Sequence, residues 1–246
     1  APAPRQINLR FFSGPKPADT VRRLSGALGR QPAPAPFFFG PWVQPKGNAM
    51  ATVNKLRDND IPTSLLQTYL HYLPCLHQTG QEQAQRDFTS QVHSNGLAIT
   101  AYFNPMLCTD KPMFTWLDKF GQLTKDSEGN PYEYDYLSYH VGQFDFTNPD
   151  ARNSYGDLLR EALEHGYDGW MEDFGEYTPL DAFNSDGVTG TAGHNAYVRQ
   201  YHAAAHEVAA DLDRPLLRFV RSGWTGSAAY SPVVWGGDPS TTWDDV

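Results

Sequence analysis

Residues Asn148 to Phe174 read NPDARNSYGDLLREALEHGYDGWMEDF, and their order decides the fold. Asn148 offers a side-chain cap, Pro149 suits the first helical position, and Asp150 puts an acid in the first turn. Tyr155, Leu158, Leu159, Ala162 and Leu163 follow at three- to four-residue spacing, which gives a helix one apolar stripe, and Gly166 stops it. The run from Gly169 to Phe174 is short and mostly apolar, as expected of a strand covered on both faces. A capped helix feeding a buried strand is one half of a β-α repeat.

Outward from this unit the theme recurs. Further strands are expected at Phe37–Val43, Thr63–Leu70, Leu97–Asn104, Pro215–Arg221 and Val233–Trp235. Helices are expected at about Asp19–Leu28, Asn48–Asn59, Glu82–Ser94 and His194–Leu212. The class is α/β, and the strand count points to a (β/α)8 TIM barrel of which this chain holds about six of the eight strands. Residues 1–36 read as a connector and helix leading in, because prolines between Gly29 and Pro36 bar helix there. Residues 37–246 then form the barrel, with its last strands expected after Val246. The longest departure from the β-α rhythm lies between Cys108 and Phe144, where Asp126–Pro131 is a turn cluster and four tyrosines follow. A loop of that length is usually functional.

Composition narrows the role. The 246 residues carry 19 Lys plus Arg against 28 Asp plus Glu, a formal net charge of −9, which repels phosphate backbones and anionic lipid. No apolar run reaches the roughly 20 residues needed to span a bilayer, and Ala1–Gln6 shows no basic-then-apolar leader. Nucleic-acid and membrane partners are therefore not expected. Cys75 and Cys108, the only cysteines, are read as ordinary thiols.

In a barrel, chemistry sits at the carboxyl ends of the strands. There the sequence places Asp173, then Arg221 with a glycine-rich loop, then Trp235-Gly-Gly-Asp238 followed by Trp243. Two carboxyl groups on separate strand ends, flanked by aromatic rings and one arginine, suit glycoside hydrolysis: one acts as an anion and the other holds a proton for the leaving oxygen. Glu172 points to the opposite strand face from Asp173. Glu172 and Glu176 are expected to serve turns or neighbouring groups.

The set of motifs resembles glycoside hydrolase family 31. Asp168-Gly169 followed by Asp173 and Glu176 is similar to that family's nucleophile signature, and Trp235-Gly-Gly-Asp238 with Trp243 to its acid/base signature. Arg221 stands 17 residues ahead of Asp238 (238 − 221), at the spacing of the family's sugar-contacting arginine. Ala101-Tyr-Phe-Asn-Pro105 and Phe146-Thr-Asn-Pro149 match in order. The resemblance implies a retaining α-glycosidase with Asp173 as nucleophile and Asp238 as general acid and base, without metal or cofactor. It further implies a carbohydrate partner contacted by Arg221, Trp235, Gln67, Asn104 and Glu176. The Phe174-Gly-Glu-Tyr177 version is nearest the sulfoquinovosidase branch. The Gln67–Cys75 stretch, however, lacks the Arg and Trp which that branch uses to grip a sulfonate, so an uncharged α-glucoside or α-galactoside is the expected substrate. The alternatives are a sulfoquinovosidase and a non-catalytic or weakly active carbohydrate-binding barrel fragment. The family's amino-terminal β-sandwich would precede Ala1, and the piece alone is expected to be poorly stable.

Other features point elsewhere. His202 and His206 stand at i, i+4, yet no His-Glu-x-x-His motif accompanies them, so a solvated helix face is expected. Trp170 is expected in the core. No Gly-x-Ser-x-Gly elbow or phosphate-cradling loop is present.

Overall fold

The computed structural model describes residues 8–238, 240 and 242–243; the leader reading of Ala1–Gln6 lies outside them. Six parallel strands form one sheet: β1 (Trp42–Val43), β2 (Leu65–His71), β3 (Ala98–Phe103), β7 (Gly169–Glu172), β8 (Leu217–Val220) and β9 (Val233–Val234). Each pairs with the next in that sequence, so the sheet is a half-barrel grown one strand at a time. Parallel neighbours need crossovers. The first four are α2 (Ala49–Asp58), α3 (Glu82–Ser94), α5 (Pro149–Glu164) and α6 (Gly190–Ala210), the β8–β9 connection carries a 3-10 turn (Ser227–Ala229), and α1 (Pro17–Leu28) lies ahead of β1. Leu123 and the turn at Asp126, whose Oδ1 accepts from the Glu128 and Asn130 N–H groups, belong to the long excursion after β3. That excursion also contains β4 (Met106–Cys108), α4 (Pro112–Lys119), β5 (Tyr134–Tyr136) and β6 (Tyr139–Gln143). Its three strands form an antiparallel sheet in the order β4-β6-β5.

The helix ends form for the reasons the sequence supplies. Asn48 and Asn148 accept from the N–H groups of Ala51 and Asp150, at the starts of α2 and α5. Gly169 is required by contact: a Cβ there would stand 1.8 Å from the Leu217 carbonyl oxygen, so β7 and β8 could not close up.

Three expectations are corrected. The Phe37–Val43 run is mostly not strand: Pro36–Phe39 is a 3-10 turn, and only Trp42–Val43 pairs with β2. Pro36 supplies the fixed φ that starts such a turn, and apolar content alone does not separate strand from turn in so short a run. Cys75 and Cys108 are joined in a disulfide, their Cα atoms 5.0 Å apart; β4 folds back beside the segment after β2 and brings them together. His202 is fully buried rather than solvated, because α6 lies with that face on the sheet.

Strand alternation separates two cores. Trp170, Ala101 and Phe103 face the helices, where they join Tyr155, Tyr197 and Tyr201. Tyr102, Met171 and Phe219 face the concave side and pack with Trp42, Val233 and Trp235.

Candidate active site

The end of β7 delivers the central carboxylate. Asp173 follows Glu172 with its N–H bonded to the Phe103 carbonyl (2.9 Å), so the last ladder hydrogen bond fixes where it sits. By the two-residue period it shares the concave side with Met171, while Glu172 turns to the helices. The chain then leaves sharply: Phe174 has φ +58°, a conformation that costs a bulky residue of order 1 kcal/mol or more. Neighbours hold this turn. The Ser222 hydroxyl donates to the Phe174 carbonyl (2.6 Å) and the Tyr201 hydroxyl to the Asp173 carbonyl (3.3 Å).

Asp173 is 6% exposed. The Tyr102 hydroxyl donates to its Oδ2, and Arg221 lies 3.6 Å from its Oδ1. Arg221 also reaches Glu176 at 2.5 Å and covers the Phe174 ring, its guanidinium carbon 4.1 Å from the ring centre. Burial pushes the Asp173 carboxyl above its ordinary range, against the hydrogen bond from Tyr102 and the charge of Arg221. Burial and the Asp173 charge likewise push the Tyr102 phenol upward, so it stays a donor.

Asp238 is exposed and is among the residues lining a cavity of about 570 Å³, whereas Asp173 is not. Gln67, Tyr69, Met171, Phe219 and Trp235 line the same cavity. Arg221, Trp235, Gly236, Gly237 and Asp238 line a second recess, so Arg221 connects the surroundings of the two aspartates. Tyr69 links them as well: its hydroxyl is pushed upward by burial and then by the charges of both Asp173 and Asp238. Asn104, in contrast, is buried with its Oδ1 accepting from the Met106 N–H (3.0 Å), and its side chain hydrogen-bonds to the Tyr102 hydroxyl. It stands behind Tyr102 and is not among the cavity-lining residues.

Sequence reasoning missed the buried ionic group behind the site. Glu172 accepts from Arg218 Nε (2.7 Å) and Trp170 Nε1 (3.1 Å) through one oxygen, and its other oxygen meets His202 Nδ1 at 2.7 Å. The opposite ring nitrogen of His202 meets the Ser222 carbonyl at 2.9 Å. Burial disfavours the Glu172 charge, but Arg218 and His202 outweigh it and hold the carboxyl below its usual range. The only sequence signal was an acid on the helix-facing side of β7, which demands a partner. Tyr69 and Tyr102 were also missed, because a tyrosine on the concave side reads as core.

Comparison with known proteins matches residues 32–246 to the family model "Glycosyl hydrolases family 31 TIM-barrel domain". A sulfoquinovosidase from Agrobacterium fabrum is 30% identical over 259 residues, covering 94% of this chain and 38% of that protein. An α-xylosidase from Lactiplantibacillus pentosus is 25% identical over 223 residues, 83% of this chain and 29% of the relative. The solved sulfoquinovosidase of E. rectale with an aza-sugar inhibitor superposes with a TM-score of 0.78 at 23% identity, over 89% of this chain and 36% of that one. The chain thus spans well under half the length of the relatives it matches. The expected partial (β/α) barrel is present.

Proposed function

Because this chain belongs to glycosyl hydrolase family 31 through its TIM-barrel domain, we propose that it carries the catalytic machinery of a retaining α-glycosidase acting on uncharged α-glycosides. Asp173 attacks the anomeric carbon while Asp238 gives a proton to the departing oxygen; water then enters, losing its proton to Asp238, and the ester to Asp173 breaks. Arg221, Trp235 and Gln67 hold the sugar. Glu176 holds Arg221, and Asn104 acts through Tyr102. The observation that carries this reading is a buried strand-end carboxylate, pinned by Tyr102 and flanked by Arg221, with a second, exposed aspartate lining the same recess as Arg221.

Electrostatics favours an uncharged sugar. No Lys, Arg or His is among the described residues lining the 570 Å³ cavity, and the charge of Arg221 beside it is already balanced by Asp173 and Glu176, which leaves Arg221 to meet neutral hydroxyl groups. Among these described lining residues a sulfonate would find no cation to offset its desolvation. The likeness to the Agrobacterium fabrum protein supports the second reading, a sulfoquinovosidase. A screen of aryl α-glycosides of glucose, galactose, xylose and sulfoquinovose separates the two. A 5-fluoro glycosyl fluoride of the best sugar should label Asp173 covalently, and Asp173→Ala should lose activity about 10³-fold or more. Asp238→Asn should lose about 10²- to 10⁴-fold on poor leaving groups and less on acidic phenols, which need no proton. Full hydrolysis by Asp173→Ala would rule out the assignment.

A further inference from the structure

We propose that Tyr102 is the positioning residue of the nucleophile: its phenol fixes the Asp173 carboxylate by one oxygen, keeps it ionised for attack, and supports it again as the leaving group when the glycosyl ester breaks. This inference rests on Asp173 being the nucleophile.

The hydroxyl is aimed by what surrounds it. The Asn104 amide is oriented by its own bond to the Met106 N–H and hydrogen-bonds to the Tyr102 hydroxyl, whose proton is then directed to Asp173 Oδ2. The Tyr69 ring lies against the Tyr102 ring with centroids 5.1 Å apart, and Tyr102 itself is buried among Met171 and Phe219, so the phenol cannot swing away. Besides Tyr102, the Asp173 carboxylate is favoured by the Phe174 backbone N–H and the charge of Arg221. Its Oδ1 is buried without a hydrogen-bond partner, and Arg221 stands 3.6 Å away from it. The titratable and charged groups facing Asp173 are Tyr102 from β3, Tyr69 from β2, Tyr136 from β5, Glu176 after β7, Tyr201 from α6 and Arg221 after β8. Of these, Tyr102 donates the hydrogen bond and Arg221 supplies the positive charge.

The phenol keeps its proton throughout. In the first step a bond forms between an Asp173 oxygen and the anomeric carbon, and the bond to the departing oxygen breaks as Asp238 protonates it. In the second step water bonds to that carbon, its proton goes to Asp238, and the electron pair of the ester bond returns to Asp173. Charge leaves the carboxylate in the first step and returns to it in the second. A donor on that carboxylate therefore helps the second step more, and losing it slows release of the glycosyl enzyme.

Tyr102→Phe keeps the ring and removes the donor. We expect kcat to fall on the order of 10- to 100-fold, the worth of a hydrogen bond to a charged group, with KM changed much less. The 5-fluoro glycosyl adduct on Asp173 should reactivate more slowly. The acidic limb of kcat/KM should move to higher pH, because burial of Asp173 is then less opposed. A 3,5-difluorotyrosine at 102, a stronger donor of the same shape, should move that limb to lower pH, which a purely structural role would not produce. Tyr102→Phe with the parent's kcat and acid limb would overturn the inference, as would a difluorotyrosine enzyme with an unmoved limb. Full hydrolysis by Asp173→Ala would instead overturn the glycosidase reading itself.

Discussion

Asp173 and Glu172 are adjacent acids with opposite burial logic. Both are buried on the same short strand end, but Glu172 is matched closely by Arg218 and His202 while one Asp173 oxygen has no hydrogen bond and meets Arg221 only at 3.6 Å. The pKa of Asp173 is therefore raised and that of Glu172 lowered. An acid whose folded pKa lies above its unfolded value loses stability as pH rises through that interval. At neutral pH the ionised Asp173 thus opposes folding. Asp173→Asn, inactive by the proposed mechanism, should melt at a higher temperature than the parent at pH 7. The gap should close below about pH 3.9, where an ordinary Asp is protonated in both states. A variant less stable than the parent at pH 7 would show that Tyr102 and Arg221 more than offset burial. The strand period made the division between residues 172 and 173 legible in advance. Tyr102 was not legible, because its partner lies 71 residues away and only strand pairing brings them together.

At the level of elements, strands and helices were readable wherever caps and apolar period agreed. The expected Glu82–Ser94 helix is the observed α3, and α5 begins after its Asn148 cap. The reading failed at Pro36–Phe39, where proline and three phenylalanines satisfy a turn as well as a strand, and at His202 of the otherwise expected α6, which an ionic group buries. His202 and Arg218 tie α6 and β8 to Glu172 on β7, and the Ser222 carbonyl extends this tie to the loop carrying Arg221. Removing one side of a buried pair leaves the other charge uncompensated. Arg218→Met should therefore destabilise by about 3–5 kcal/mol in a urea titration. Adding Glu172→Gln should recover part of that loss. The lowered pKa of Glu172 gives a second signature: its stabilisation is present above the unfolded value of about 4.3 and fades as pH falls below it. The acid slope of stability should therefore flatten in Glu172→Gln. An unchanged slope, or no coupling between the two substitutions, would argue that the network is neutral in stability.

For the whole molecule, the decisive feature is the covalent tie between its two sheets. Cys75 follows β2 of the half-barrel and Cys108 ends β4 of the excursion. The sequence held both cysteines, but their pairing required a fold-back that no local pattern encodes. Around the bridge, Met106, Val141, Tyr134, Tyr136 and Tyr139 pack on Phe174. The Phe174 ring in turn carries Arg221, which approaches Asp173. The excursion is thus a shelf under the candidate site, and the disulfide fixes its height. Closing a loop with a sequence separation of 33 is worth about 2–4 kcal/mol by restricting the unfolded chain. Replacing both cysteines by serine should lower stability by about that amount. If the shelf positions Phe174 and Arg221, the variant should also lose kcat at temperatures well below its own melting point, and reduction of the parent by dithiothreitol under mild denaturant should reproduce both effects. Loss of stability with kcat intact at low temperature would confine the bridge to holding the two sheets together.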